Sequence, residues 1–156
     1  YIPEMFGNLK NKYVGFLGGV LHLMEAGVKY NNFFGVQYKS RLDVVMNQAP
    51  SDMKVFTNWS VESNKKWDNP FVEIANSRAF RAIQSRTPDG AIDQQNGAFY
   101  APFMFDINTP NIDNPLINGN SLVGETLLMR LENDSDEQVV LFAVNIYAGY
   151  SGRTNF

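Results

Sequence analysis

The sequence contains no cysteine, and this removes disulfide bridges, thiol catalysis and zinc–thiolate sites at once. Histidine occurs once, as His22, so no metal site built on two or more imidazoles can form. Charged residues make up only 19% of the chain and the net charge is −3. A general phosphate-binding surface is therefore not expected, and a local basic patch stays open. No apolar run reaches the ~18 residues of a spanning helix. The longest, around Tyr13–Met24 and Val139–Tyr150, are interrupted by glycine, histidine or asparagine. The opening segment YIPEMFGNLK lacks the basic start and apolar stretch of a secretory signal. The chain begins with Tyr1 rather than Met, and the expectation is a fragment or processed product. The phosphate-loop pattern G-x-x-x-x-G-K-[ST] and the dinucleotide pattern G-x-G-x-x-G are both missing.

What remains describes a β protein. A length of 156 residues fits one domain, with 44% apolar residues to fill its core. Aromatic residues reach 13%, with twelve Phe and seven Tyr, and asparagine occurs eighteen times, mostly between apolar runs. Aromatic side chains suit half-buried pleated surfaces, while asparagine tolerates positive φ and closes turns. Together they predict many short strands joined by Asn-, Gly- and Pro-rich loops.

The periodicity places them. Tyr13–Leu17 and Val20–Met24 around Gly18-Gly19 predict a hairpin. In Tyr38–Met46, Tyr38, Ser40, Leu42, Val44 and Met46 alternate with Lys39, Arg41, Asp43 and Val45, a period-two strand with one charged face. Lys54–Ser63 predicts a second strand, and the loop Gln48–Asp52 invites a hairpin between the two. Phe71–Ala75 and Ala79–Gln84 are shorter candidates, the latter equally compatible with a helical turn. Pro102 makes Ala98–Phe105 an edge strand or no strand. Asn108–Asn120, with two prolines and five asparagines, reads as an extended loop. Leu122–Leu131 and Gln138–Tyr147 flank the acidic stretch Glu132–Glu137, and a hairpin at the centre of the sheet is expected. The fold class is all-β: an antiparallel sandwich or barrel-like domain over 1–156, with long loops and little helix. Whether the 1–32 hairpin segment belongs to a preceding domain is left open.

Chemistry is sparse. A Ser-His-Asp triad needs one histidine, but His22 lies between Leu21 and Leu23 without a G-x-S-x-G elbow, and a structural role is favoured. Asn133, Asp134, Ser135, Asp136 and Glu137 offer oxygen ligands of the kind calcium takes, but the full loop pattern is absent, favouring a solvated turn. Glu62, Asp68, Glu73, Asp89, Asp93, Asp106 and Glu125 are candidates for the paired carboxylates of a glycan-degrading enzyme, though surface acids are the default. Trp59, Trp67 and the aromatics of Ala98–Phe105 could stack on sugars, and core or interface packing is favoured. Lys65-Lys66 beside Trp67 is explained as a solvated turn better than as a nucleic-acid contact. No catalytic, cofactor-binding or metal-binding residue is assigned.

One stretch goes beyond composition. Asn31-Asn32-Phe33-Phe34-Gly35 and Tyr38-Lys39-Ser40 lead into the apolar strand ending at Asn47. Lys54-Val55-Phe56-Thr57-Asn58 and Glu62-Ser63-Asn64 follow. This order resembles the tail-assembly structural proteins of crAss-like and related short-tailed phages of gut bacteria, the stabilisation and muzzle proteins. Phe16–His22 is similar to the short hairpin that precedes the motif there, and Gly97–Asp106 and Leu122–Leu131 are similar to the family's C-terminal part. At Asn118-Gly119-Asn120 the basic residue that often accompanies the glycine is missing. The resemblance spans about Tyr13 to Tyr150. It implies that the chain is the C-terminal portion of a larger tail protein, a non-catalytic virion component of a ring or muzzle below the portal, assembled in the host bacterial cytoplasm. Its partners would be other copies of itself and neighbouring tail proteins, with no membrane segment, no specific nucleic-acid site and no cofactor. A carbohydrate-binding β-sandwich used in host attachment is the alternative.

Overall fold

The computed structural model describes residues 2–24, 29–75 and 84–150. The chain forms two compact units, Tyr1–Ser40 with Asp134–Val139, and Arg41–Asn133 with Val140–Phe156.

The first unit carries a three-stranded antiparallel sheet in the order β1 (Met5–Leu9), β2 (Lys12–Leu17), β3 (Val20–Leu23). Both connections are two-residue turns in which both residues have positive φ: Lys10-Asn11 at 48° and 66°, and Gly18-Gly19 at 61° and 75°. That backbone matches the twist of the flanking strands, which is why such turns close hairpins. The expected Gly-Gly hairpin is therefore present, with β1 added in front of it. A small ladder follows, β4 (Asn32–Phe33) against β5 (Val36–Gln37). The acidic return segment joins this unit through its main chain. The Tyr30 N–H donates to the Asp136 carbonyl at 2.8 Å and Asn31 Nδ2 to the Ser135 carbonyl at 3.1 Å.

The second unit is a two-sheet antiparallel sandwich. One sheet runs β6 (Ser40–Met46), β13 (Thr126–Asn133), β8 (Asp68–Ala75), β9 (Ser85–Thr87). The other centres on β7 (Lys54–Ser63). Residues 58–62 of β7 pair both with β11 (Ala98–Pro102) and with β14 (Leu141–Tyr150), so these flank it on opposite edges. β10 (Asp93–Gln95) lies outside β11, and β12 (Val123–Gly124) continues the β11 edge at the other end of β7. β12 and β13 are nearly continuous in sequence yet belong to different sheets, so the chain turns a corner at Glu125. The expected all-β class is what the structure shows; its one α-helix among the described residues is the single turn α1 (Pro115–Asn118).

Alternation builds the core. Leu127, Met129 and Leu131 of β13 and Val72 and Ile74 of β8 are buried, as are Phe56, Trp59 and Val61 of β7. Trp59 is fully buried, and its Nε1–H donates to Thr87 Oγ1 at 3.0 Å, tying the central strand of one sheet to β9 of the other. The opposite face of the four-stranded sheet is polar. Arg130 grips Asp43 with both arms of its guanidinium (2.6 and 2.9 Å) and lies 4.3 Å over the Phe71 ring. Arg41 pairs with Glu132 at 3.1 Å and Thr126 Oγ1 donates to Asn47 at 2.9 Å. This is the charged face of β6 that its period-two pattern predicts.

Four expectations are corrected. β6 and β7 do not form a hairpin: the loop after Met46 carries the chain from one sheet to the other, about 10 Å apart in such packing. The strands around Glu132–Glu137 do not pair either. The linker between them joins the first unit, and β13 and β14 lie in opposite sheets. β11 is an interior strand. Pro102 is tolerated because it is the last residue of β11, past the three residues that β10 covers. Asn108–Asn120 is a closed loop rather than an extended one. Asp106 N–H donates to Asn120 O (2.9 Å), Thr109 Oγ1 to Asp106 O (2.7 Å) and Asn120 N–H to Thr109 Oγ1 (2.9 Å). Phe71–Ala75 lies within β8, and of Ala79–Gln84 all but Gln84 falls outside the described residues.

Candidate functional site

The residues singled out for chemistry are dispersed. His22 sits half-buried on β3, and its ring meets Phe34 edge-on at 4.8 Å and 86°. Phe34 in turn fills the space over Gly15, where an added Cβ would lie 3.1 Å from the ring and 3.0 Å from Met24 Sδ. His22 is thus part of an aromatic cluster in the first unit. In the acidic loop, Asn133 is buried and its Nδ2 donates to the Lys66 carbonyl at 2.6 Å. Asp136 pairs with Lys29 at 3.4 Å. The carbonyls of Ser135 and Asp136 are taken up by the 30–37 segment. The loop's oxygens therefore anchor backbone. No group of three His, Asp or Glu side chains among the described residues is placed to hold a metal ion.

The candidate acids separate in the same way. Glu62 accepts from Asn145 Nδ2 at 3.4 Å on the outer face of the five-stranded sheet. Asp106 Oδ1 accepts from the Asn108 N–H at 2.8 Å, which shapes its own loop. Glu73 lies on β8, Asp93 on β10, and Glu125 at the corner between the sheets. Asp68 and Asp89 line one recess, but Lys66 pairs with Asp89 and Arg86 lies beside them, so the two acids share a cationic neighbourhood. Asn69 in the same recess is buried, and its side-chain amide has no hydrogen-bond partner among the described residues.

The tryptophans are core residues. Trp59 has no exposed surface and Trp67 is 6% exposed, so neither can offer a face to a sugar. The exposed aromatics lie elsewhere. On the outer face of the five-stranded sheet Tyr100 and Tyr147 flank Asn58 and Pro102. With Asp93 they line a recess of about 390 Å³. Of the Lys65-Lys66 pair, Lys66 is committed to Asp89.

Exposed apolar surface is concentrated in two places. In the three-stranded sheet, side chains opposite one another share a face, so Met5, Phe16 and Leu21 form one row and Val14 and Leu23 the next. Met5, Leu9, Leu21 and Leu23 on that face are exposed, grouped around the buried Val14. The second place is β14, an edge strand of the five-stranded sheet, with Phe142 73% and Tyr150 71% exposed. Ten residues carry no charge and no proline. The other edges of the sandwich are protected in the usual ways. β6 bears Arg41 and Asp43, while β9 and β10 are three residues long. The sequence pattern of Gln138–Tyr147 already marked an apolar strand; that it ends up at an edge followed only from the sheet order.

What the fold defines is an all-β chain with exposed apolar residues on β1–β3 and β14. The family model of the Crassvirus muzzle protein C-terminal domain matches residues 28–106, just over half of the chain, and the chain belongs to that family. It is thus a structural protein of a bacteriophage. A search among curated proteins finds no match. The matched stretch runs through β4–β11, the part whose motifs carry the resemblance noted in the sequence. No described helix is long and apolar enough to cross a membrane.

Proposed function

We propose that the chain is a non-catalytic component of a phage tail, part of a ring or muzzle below the portal. It works through contacts with copies of itself and with neighbouring tail proteins, in a virion assembled in the host bacterial cytoplasm. Membership of the muzzle family is the observation that carries this reading. The uncharged edge strand and the apolar face of β1–β3 are the kind of surface such contacts use. Peptide-mapping mass spectrometry on purified virions, after separating intact chains by size, tests it. The expected result is these peptides in a stoichiometric virion band. Their absence from particles, or their recovery only from a soluble lysis product, would overturn it.

A carbohydrate-binding role in host attachment is the second reading, and it now rests on Tyr100 and Tyr147 beside Asn58 and Asp93 rather than on tryptophan. Titration with host-surface polysaccharide checks it: binding that survives Tyr100→Ala and Tyr147→Ala together, or no binding at all, removes it.

A further inference from the structure

We infer that copies of the chain join head to tail: the lysine-bearing tip of the β1–β2 hairpin, Lys10-Asn11-Lys12, docks in the tyrosine recess of the next copy and meets Tyr100, Tyr147 and Asp93 there. The inference rests on the reading of the chain as a ring component and names one contact of that ring. Three observations carry it.

The first is the recess of about 390 Å³ on the outer face of the five-stranded sheet. The strand registers lay out that face in rows. Asp93, Tyr100 and Ser60 stand side by side across β10, β11 and β7, and Pro102, Asn58 and Tyr147 form the next row across β11, β7 and β14. The charged residues of these four strands are Asp93, Glu62 and Lys54. Lys54 is buried and its Nζ donates to the Ala49 and Asp52 carbonyls, so the strands present acids and no base on their outer face. The Asp93 carboxylate has no hydrogen-bond or ion-pair partner among the described residues. Two exposed phenol rings, each with a negative face, beside a lone carboxylate suit a cation. A lysine meets both demands: its methylenes lie on the rings while its ammonium reaches the carboxylate.

The second is the tip. Lys10, Asn11 and Lys12 are all exposed. Lys29, Arg41, Lys66 and Arg130 are held in ion pairs, whereas the amines of Lys10 and Lys12 have no partner among the described residues. Lys10 also sits at φ 48°, first of the two turn residues, a place that asparagine or glycine fills at less cost. This departure from turn chemistry gains no side-chain partner among the described residues, and it sets a cation at the end of the hairpin.

The third is symmetry. Tip and recess are unlike surfaces, one from each compact unit. A contact between unlike surfaces is heterologous: a copy that docks its tip in its neighbour keeps its own recess open for the next. Such a series closes into a ring when the rotation fits, which is the assembly that the functional reading requires. Lysines without a partner entering a recess with an unpaired carboxylate satisfy both sets of groups. A neutral sugar stacked on the same rings would leave the lysines as they are.

Zero-length carbodiimide coupling joins a lysine to a carboxylate where the two touch. The purified chain, half of it isotope-labelled, is coupled at high concentration and low salt, and the joined peptides are mapped by mass spectrometry. The expected result is Lys10 or Lys12 joined to Asp93 in peptide pairs of mixed label, with a ladder of covalent products beyond the dimer. Lys10→Arg with Lys12→Arg keeps the charge but offers no amine, so association in sedimentation should persist while the link disappears. Asp93→Lys should weaken association at least about tenfold, as should Lys10→Glu with Lys12→Glu, and the two variants mixed should associate again. Tyr100→Phe with Tyr147→Phe keeps the rings and should keep the association, whereas Tyr100→Ala with Tyr147→Ala should lose it. If a variant misfolds, mixed-label coupling of the unaltered chain still decides the question. Absence of the link, pairs of one label alone, or association unchanged by Asp93→Lys would overturn the contact. So would Asp93 coupled in virions to a lysine of a different protein, or polysaccharide bound in the recess of a chain that stays monomeric. Loss of the peptides from virions would sink the functional reading while leaving the coupling pattern of the purified chain untouched. A chain present in virions without the link would sink this contact alone, so the two fail separately.

Discussion

Trp59 is the joint between the two sheets, and replacing it by Phe measures that joint. The indole is fully buried and its Nε1–H reaches Thr87 Oγ1 at 3.0 Å. Trp59→Phe removes the donor and leaves a void where the second ring was. A buried neutral hydrogen bond contributes about 0.5–1.5 kcal/mol net. Deleting buried atoms without collapse adds about 1–2 kcal/mol, well short of the ~3–5 of a full aromatic truncation to Ala. The expected cost is therefore about 2–3 kcal/mol. Thr87→Val removes the acceptor instead and strands a buried N–H, costing about 1–3 kcal/mol. In Trp59→Phe/Thr87→Val neither group is left to satisfy, so the double variant should lose less than the sum by about 0.5–1.5 kcal/mol. Urea unfolding of all four proteins by far-UV circular dichroism gives the cycle. Additivity within about 0.3 kcal/mol, or a Trp59→Phe cost below half a kcal/mol, would mean that this bond does not tie the sheets.

Two further outcomes are expected. Arg130 holds the Asp43 carboxyl below its ordinary value by hydrogen bonding it, against an opposing effect of burial and with smaller help from the charges of Arg130 and Arg41. The ionised carboxylate therefore stabilises the fold at neutral pH, and this contribution disappears as pH falls through the lowered folded value. Urea midpoints of the unaltered chain and Asp43→Asn should differ at pH 6 and converge in strong acid; a gap that widens on acidification would contradict the sign. Gly119→Ala should unseat the 106–120 loop. A Cβ there would collide with the Pro115 carbonyl and lie 2.8 Å from Asp106 O and Thr109 Oγ1. A cost of about 1–3 kcal/mol follows from the overpacking, and an unchanged melting temperature would refute it.

How far the sequence could be read depended on how local the signal was. The Gly18-Gly19 hairpin, the polar face of β6 and the length of β7 each follow from a turn or a period of two, and each stands in the structure. Pairing partners did not follow. β6 and β7 are neighbours in sequence and lie in opposite sheets, as do β13 and β14, because the choice rests on contacts between distant strands. Two turn signals were present and unused. Asn96-Gly97, both at positive φ, closes the β10–β11 hairpin, but its flank Asp93-Gln94-Gln95 carries no apolar alternation. Lys10-Asn11 does the same for β1–β2. The candidate surfaces were half legible. The apolar character of β14 was plain from its residues, whereas its place at an edge, and the burial of Trp59 and Trp67 that moves the exposed aromatics to Tyr100 and Tyr147, required the fold.

The claim that this chain is a building part of the tail is tested most directly by cryo-electron microscopy of the intact virion. The account predicts density below the portal, repeated around the tail axis, into which the sandwich of residues 41–133 and 140–150 fits with its side chains traceable at Trp59 and Arg130. A tail map fully accounted for by other chains, with no position for this sandwich, would contradict it.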